Sequence, residues 1–451
     1  MTLGGLLLFL PVPDGLTEQG MVVLITTIVA TILFVTEPVP LPTVALLIIS
    51  SQILLLGIPS SQVASSLMND SVLFIMGSLM LAVAVVKQKL DKRIALLIIS
   101  VTGTKTIQIS FGITVVSGLL ASFIGEHTVA AMMLPVGITL ITLASDDPKK
   151  VRNLAAVLLF SIAYGCSVAG IGTPSGGARN AIMIGYWSEF SGLSIDYIKW
   201  MVYAYPLFLI QLPFVTIILF FSFRPEISDL SEAVDKLKVQ VASQGGLKGK
   251  DWVAILFFFM ILLAWVFLSG GLGMGTIAIL GAAAFLIAGL VNWEDLNSGV
   301  NWGVVLLYAA AISLGVQMKD TGAAQWVAES FLAFLKPLGA DQGMGLMLSI
   351  SALTTGVTNT MSNGAAVAVL GPIVLPMAEM AGESQINIGF VTAVSSAFAY
   401  LTVVGTPACT IVYASGYLKT TDFLRVGWKM VLISTALLIG FSTFIWPMME
   451  L

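Results

Sequence analysis

The stretch Thr106–Ser145, TIQISFGITVVSGLLASFIGEHTVAAMMLPVGITLITLAS, contains no Asp, Glu, Lys or Arg other than Glu126. Its neighbour His127 is the only histidine in the chain. An ionisable side chain in hydrocarbon or in a protein core costs several kcal/mol unless it is paired or binds a ligand. The stretch therefore predicts a long apolar segment that is interrupted at a functional polar point.

The rest of the chain is equally apolar. Of its 451 residues, 57% are hydrophobic and 10% are charged, whereas a soluble domain has about a quarter of its residues charged. Three further runs lack charge, and each exceeds the ~20 residues that a spanning helix needs: Trp252–Trp293, Gln342–Ala378 and Ser384–Leu418. Because backbone groups in lipid must be satisfied internally, we expect an all-α, multi-pass protein of the cell (inner) membrane.

Hydropathy places the spanning helices in two groups around a polar segment, Arg224–Asp251. This segment predicts a cytoplasmic linker with a short amphipathic helix at Leu230–Val239. Aromatic residues near the predicted helix ends, such as Trp187, Tyr197, Trp200, Trp302 and Trp428, are typical of interface anchors. The predicted spans are Met21–Phe34, Thr43–Leu56, Val72–Val86, Ile94–Val101, Thr106–Ala144, Asn153–Ile184, Trp200–Phe223, Trp252–Leu268, Met274–Val291, Trp302–Val316, Gly343–Met380, Ile386–Ser415 and Phe423–Met448.

Two of the apolar segments in each half are interrupted in the same order. Gly125-Glu126-His127 is followed by Gly172-Thr173-Pro174, and Ser362-Asn363-Gly364 is followed by Gly405-Thr406-Pro407. Broken helices at corresponding positions of two halves are typical of the binding site of a secondary transporter. Unwound backbone offers carbonyl oxygens to a cation, and helix N-termini attract an anion.

At these motifs the chain resembles the divalent anion/sodium symporter family. The matching stretches are the Ser-Asn-Gly tip, Phe74–Leu96, Asn301–Gly322 and Val403–Lys419. The resemblance implies about eleven transmembrane helices plus two re-entrant hairpins in an inverted repeat. It also implies a homodimer with scaffold domains and mobile transport domains that move like an elevator.

The resemblance divides the chain into segments with distinct roles. The scaffold helices of the first repeat are 1–104, and those of the second are 252–340. The transport domain is built from 105–190, the helix at 191–223, and 341–451, and 224–251 is the cytoplasmic linker.

The site residues are predicted partly from the resemblance and partly, for Glu126, His127 and Arg179, from the charge of these side chains in an apolar stretch. The predicted substrate-binding residues are His127, Thr128, Thr173, Pro174, Arg179, Asn363, Gly364, Thr406 and Pro407. The predicted sodium or proton site comprises Gly125, Glu126, Gly170, Gly172, Thr358, Met361, Ser362, Asn363 and Gly405. The first tip departs from the Ser-Asn-Thr of the family, since Glu126 stands at the Asn and His127 at the Thr. Gly364 replaces the Thr of the second tip, which predicts a larger or less polar carboxylate pocket.

Several interpretations of the charged residues stay open. Glu126 could bind sodium directly, take up a proton, or form a structural pair with His127. His127 could donate to a substrate oxygen or be a satisfied polar residue. Arg179 could bind a carboxylate or sulfate, or it could snorkel to the interface or cap the broken helix.

The predicted function is secondary active transport of a small divalent anion, coupled to sodium or to a proton through Glu126. A C4-dicarboxylate is the first candidate substrate, citrate the second and sulfate the third. An anion exchanger of the same fold is the nearest alternative, and a cation/proton antiporter or a channel-like permease is the alternative from another class. No nucleophile–base pair or metal-ligand cluster indicates an enzyme, and we expect no organic cofactor, transition metal or nucleic-acid partner.

Overall fold

The computed structural model describes residues 11–88, 102–145, 147–243 and 249–449, and its elements are helices joined by short connections. Numbered along the chain, the helices are α1 (Glu18–Thr36), α2 (Leu41–Leu54), α3 (Ser60–Ser66), α4 (Asp70–Lys87), α5 (Thr106–Ile124), α6 (Glu126–Ala144), α7 (Arg152–Ala169), α8 (Ala178–Ser191), α9 (Tyr197–Ser222), α10 (Ser231–Ser243), α11 (Gly249–Leu272), α12 (Met274–Ile287), α13 (Trp293–Gly299), α14 (Trp302–Asp320), α15 (Ala323–Leu335), α16 (Gly343–Thr358), α17 (Asn363–Met380), α18 (Gln385–Ser395), α19 (Pro407–Tyr413) and α20 (Thr420–Gly440).

Within those ranges, ten helices are long and apolar enough to cross a membrane. The prediction of an all-α polytopic membrane protein is therefore confirmed. Three shorter apolar helices, α2, α12 and α16, accompany them. The predicted span Ile94–Val101 lies outside the described residues. Sequence analysis missed α3, α13 and α15, because the first two are short and polar and α15 buries only one narrow face.

Each predicted break separates two helices. The helix pair α5 and α6 packs together as one hairpin, and the pair α16 and α17 forms a second. A helix ends before each Gly-Thr-Pro motif and a new one begins at or just after the proline, so α7 is followed by α8 and α18 by α19. The opposite membrane orientation of the two halves stays a prediction.

The helices after the breaks cross over between the halves. The helix α8 packs against α17 of the second hairpin, whereas α19 packs against α6 of the first hairpin and against α7. Both hairpin tips and both breaks are therefore drawn into one region of the molecule. This packing gives the site its position.

The polar segment after α9 is attached to the first half rather than free. The Glu226 carboxylate accepts hydrogen bonds of 2.9 Å from the backbone N–H groups of Asn153 and Leu154, at the start of α7. The backbones of Asp229 and Lys105 form an isolated antiparallel β-bridge. A hydrogen bond from the Ser231 backbone N–H lowers the pKa of the Asp229 carboxyl. The predicted amphipathic helix is confirmed as α10, which packs against α6.

The prediction that Trp187, Tyr197 and Trp200 anchor the protein at the membrane interface is wrong. All three side chains are fully buried. The two indoles pack around Phe390 of α18, with ring centroids 5.1 Å and 4.6 Å from it. Hydropathy cannot distinguish an aromatic side chain at a helix end from one in the core, because both positions favour large amphipathic rings.

One polar contact joins α4 to α12 in the segments predicted as scaffold. The Asp70 carboxylate accepts hydrogen bonds from the backbone N–H groups of Met274 and Gly275, at 3.1 Å and 3.0 Å. These N–H groups lack partners within their own helix because they belong to its first turn. A carboxylate at a helix N-terminus also interacts favourably with the helix dipole.

We predict that Asp70→Ala lowers the stability of the protein by about 1 kcal/mol, since it removes this cap. Asp70→Asn should lose less, because the amide oxygen still accepts a hydrogen bond. Thermal unfolding in detergent measures the effect, with Asp320→Ala, at an exposed aspartate, as the control. Equal midpoints for Asp70→Ala and Asp320→Ala would contradict the prediction.

Candidate functional site

The two hairpin tips have the same register. Gly125 precedes the first residue of α6 and has φ +92°, a left-handed conformation that glycine adopts without strain. Ser362 precedes the first residue of α17 and caps it, since its hydroxyl accepts from the Ala365 backbone N–H at 3.4 Å. Glu126 and Asn363 are therefore equivalent first residues of the two helices.

The two Gly-Thr-Pro motifs also share one local geometry. Thr173 and Thr406 have closely similar extended backbone conformations, and each hydroxyl accepts a backbone N–H three residues later, at 3.2 Å and 3.1 Å. Pro174 and Pro407 follow as the first residues of the new helical turns. Proline fits there because its missing N–H would have no partner within the helix. Pro407 thus begins α19, and Pro174 begins a single 3-10 turn that precedes α8, so neither proline kinks a helix.

A buried ion pair joins the first tip to the helix after the first break. Arg179 Nη1 lies 3.0 Å from Glu126 Oε1, and the two residues are only 1% and 8% exposed. The interpretation that Arg179 snorkels to the interface is wrong, as is the interpretation that Glu126 pairs with His127. The partner of Glu126 lies 53 positions away along the chain, and periodicity gives no sign of it.

The second tip contacts the same carboxylate. Asn363 Nδ2 donates to Glu126 Oε1 at 3.2 Å, so the carboxylate oxygen bridges the two halves of the chain. Thr358 Oγ lies 2.9 Å from Asn363 Oδ1 and 2.7 Å from the Ser396 carbonyl oxygen. The two tips thus meet directly at a polar centre, as the repeated motifs predict.

The guanidinium of Arg179 lies against the first unwound segment. A Cβ built on Gly170 would overlap Nη2, and one on Gly177 would lie 2.9 Å from Nη1. Glycine at both positions therefore makes room for the guanidinium. The neighbouring Asn180 donates to the carbonyl oxygens of Gly170 and Thr173, both at 2.7 Å, and holds the unwound backbone in place.

This centre retains unused hydrogen-bonding capacity. Among the described residues, no partner contacts Glu126 Oε2, Arg179 Nε, Arg179 Nη2 or Asn180 Oδ1, although all four atoms are buried. A buried polar atom without a partner costs about 1–3 kcal/mol. The site therefore carries two donors suited to an anion and two oxygen acceptors suited to a hard cation or a proton.

Other predicted residues make no hydrogen bond to Glu126 or Arg179 in the part of the chain that the structure describes. His127 is exposed at the tip, Thr128 is half-buried and Met361 is buried. A Cβ on Gly172 would contact Tyr205 of α9 at 3.1 Å, and one on Gly405 would contact Ala399 at 2.7 Å. These two glycines permit close packing of the unwound segments against neighbouring protein.

Sequence analysis missed Asn359. Its amide donates to the Phe398 carbonyl oxygen at 3.1 Å and accepts from the Leu401 N–H at 3.0 Å. It thereby attaches the second tip to the irregular segment between α18 and α19. Its position in the polar run Thr358–Thr360, just before the tip, is the signal that could have identified it.

Tyr308 was also missed, and it changes the expectation for Gly364. A Cβ built on Gly364 would lie 2.5 Å from Tyr308 Cζ, so the phenol of α14 occupies the space beside this glycine. The expectation of an enlarged pocket at Gly364 is therefore wrong. The signal was available, since Tyr308 is the only tyrosine in the matching stretch Asn301–Gly322.

Comparisons with solved structures show the same fold in two transporters. One is MtrF of Neisseria gonorrhoeae, described as one of a class of antimetabolite efflux pumps, with a TM-score of 0.59 and 14% identity over 98% of this chain and 97% of that one. The other is the YdaH transporter of Alcanivorax borkumensis, with a TM-score of 0.56 and 12% identity over 84% and 85% of the two chains. At such low identity the likeness is one of fold alone.

Sequence comparison gives relatives over almost the whole chain. The sodium-dependent dicarboxylate transporter SdcS of Staphylococcus saprophyticus is 25% identical over 96% of this chain and 88% of its own length. SdcS of Staphylococcus aureus (strain USA300) is 26% identical with the same coverage. The family described as "Sodium:sulfate symporter transmembrane region" matches residues 1–451. With the buried polar centre between two hairpins and its spanning helices, the chain is a multi-pass membrane transporter rather than an enzyme, and it belongs to this sodium:sulfate symporter family.

Proposed function

We propose that this protein takes up a small divalent anion, a C4-dicarboxylate first, together with sodium ions. The observation that carries the proposal is the contact of both hairpin tips at Glu126, beside the buried guanidinium of Arg179. The relatives named sodium-dependent dicarboxylate transporters support the same substrate and coupling ion.

The polar centre suggests a division of labour between its groups. The unpaired N–H groups of Arg179 and the exposed side chain of His127 would bind the anion, because guanidinium and imidazole donate hydrogen bonds to carboxylate oxygens. Thr128, Thr173, Thr406 and the N-terminal turns after Pro174 and Pro407 would complete the substrate site. The oxygens of Glu126, Thr358 and Asn363 suit sodium, which prefers oxygen ligands.

The proposal includes the movement of the site. The segments 105–223 and 341–451 would move together as the transport domain, because the ion pair and the crossed packing of α8 and α19 hold them as one unit. The segments 1–104 and 252–340 would form the scaffold of a homodimer. An elevator of this kind carries the buried pair across the bilayer without separating its charges.

A second candidate, dicarboxylate exchange, is favoured by the ion pair itself. A fixed guanidinium beside Glu126 supplies the positive charge that a bound sodium would otherwise bring to the first tip. A site of this kind would need fewer sodium ions to bind a dianion than a site without the guanidinium. Counterflow that persists without sodium would distinguish the exchanger from the symporter.

We predict that purified protein in proteoliposomes accumulates labelled succinate when an inward sodium gradient is imposed. Citrate, sulfate and a proton gradient, tested separately, measure substrate choice and the coupling ion. Sodium/proton exchange or conductance without any anion substrate would favour the antiporter or channel class and contradict the proposal.

We predict that Glu126→Gln shifts the sodium activation of transport to about tenfold higher concentration, because an ionised ligand is replaced by a neutral one. It should also lower thermal stability, since Arg179 keeps an unpaired buried charge. The double variant Glu126→Gln/Arg179→Gln should regain stability without regaining transport. Glu379→Gln, at an exposed glutamate of α17, is the control. Wild-type sodium and pH dependence in Glu126→Gln would remove this carboxylate from the coupling site.

We predict that His127→Ala raises the KM for succinate severalfold and leaves stability unchanged, because an exposed donor at the tip is lost. His127→Gln keeps a hydrogen-bond donor and should retain more of the affinity. Initial uptake rates over a range of succinate concentrations measure both variants. An unchanged KM in His127→Ala would exclude a substrate contact.

A further inference from the structure

The second tip lacks a side chain at the position where the first tip carries His127. Gly364 and His127 are the second residues of their helices, α17 and α6. The resemblance predicts a threonine hydroxyl at Gly364. The chain supplies a hydroxyl there from a different helix, because Tyr308 of α14 reaches this glycine.

The fit between Tyr308 and Gly364 is close. A Cβ on Gly364 would lie 2.5 Å from Cζ and 2.6 Å from Cε1 of the phenol and would overlap its hydroxyl. No residue other than glycine fits unless the ring moves. The Tyr308 hydroxyl thus stands in the volume that a threonine side chain at 364 would fill.

The surroundings of this hydroxyl are those of the polar centre. Tyr308 is 8% exposed, and its hydroxyl lies near the Ser362 side chain and close enough to Glu126 and Arg179 to feel their charges. A phenol is both donor and acceptor, so it can serve Ser362 and an anionic oxygen together. The ring also closes the space beside the second tip.

We infer that Tyr308 is a specificity-determining residue of the transport site. Its hydroxyl donates to one carboxylate of the dianion at the second tip, and its ring limits the length of substrate that fits there. This inference rests on the proposed transport of a dicarboxylate. It adds a side chain from the segment 252–340 to a site otherwise built from the two hairpins and the two breaks.

The test compares Tyr308→Phe and Tyr308→Ala in proteoliposomes, with succinate (four carbons) and adipate (six carbons) as substrates. Tyr308→Phe should raise the KM for succinate about tenfold with little change in maximal rate, since a hydrogen bond to a charged group is lost. Tyr308→Ala should raise it similarly and also admit adipate, because the ring is removed. The control is Tyr203→Phe, at a buried tyrosine of α9 whose hydroxyl donates to the Met449 carbonyl oxygen at 3.0 Å.

A second pair of variants tests the exchange of the two side chains. Gly364→Thr alone should weaken succinate uptake, because the new side chain collides with the phenol. Gly364→Thr/Tyr308→Ala should recover a KM severalfold closer to that of wild type than Tyr308→Ala, because a hydroxyl returns to the same volume. Thermal unfolding in detergent of each variant separates loss of fold from loss of affinity.

The outcomes separate this inference from the proposed function. If wild type takes up no dicarboxylate, the proposed function fails and the inference fails with it. If wild type takes up succinate while Tyr308→Phe keeps its KM and Tyr308→Ala still excludes adipate, the inference alone is overturned. If Tyr308→Phe does not fold, the double variant decides, and a KM no closer to wild type than that of Tyr308→Ala overturns it.

Discussion

The buried ion pair between Glu126 and Arg179 is the constraint on which the rest of the site depends. Removing one partner of such a pair costs several kcal/mol, because the other charge is then left buried and unpaired. The pair then requires glycine at 170 and 177 to admit the guanidinium, and a sharp turn at Gly125 to point the carboxylate inward. It also ties the first hairpin to the helix after the first break.

The two halves solve the same geometrical problem with different chemistry. The first tip presents a charged residue at the position where the second presents the neutral amide of Asn363, and the amide donates to the carboxylate. The second tip obtains its order from neutral contacts, chiefly those of Thr358 and Asn359 with the segment after α18. Both charged residues of the described centre, Glu126 and Arg179, therefore belong to the first half. If the ions needed for transport differ from those of the family, the first half is where the cause is expected.

The sequence predicts the helices and their breaks well because these depend on local chemistry. Apolar length, a glycine with positive φ and a proline at the start of a helix each act within one turn, and the bounds of most helices follow from them. It predicts far less about partners. The contact of Arg179 with Glu126, the burial of Trp187 and the approach of Tyr308 to Gly364 depend on how separate helices pack. The residue type of Arg179, Trp187 or Tyr308 is compatible with several partners and with either burial or exposure. Which of these occurs depends on which helices lie next to it in the folded protein.

The attachment of the polar segment after α9 has a mechanical consequence. Glu226 attaches that segment to α7, and α10 packs against α6. Up to Ser243, the segment is therefore attached to helices of the first half. The next helix, α11, begins at Gly249 on the other side of the proposed sliding boundary. The covalent reach between these two residues is at most roughly 20 Å. While α10 stays packed on α6, Ser243 cannot lie further than this from the start of α11, so the length of this connection limits how far the proposed transport domain can move.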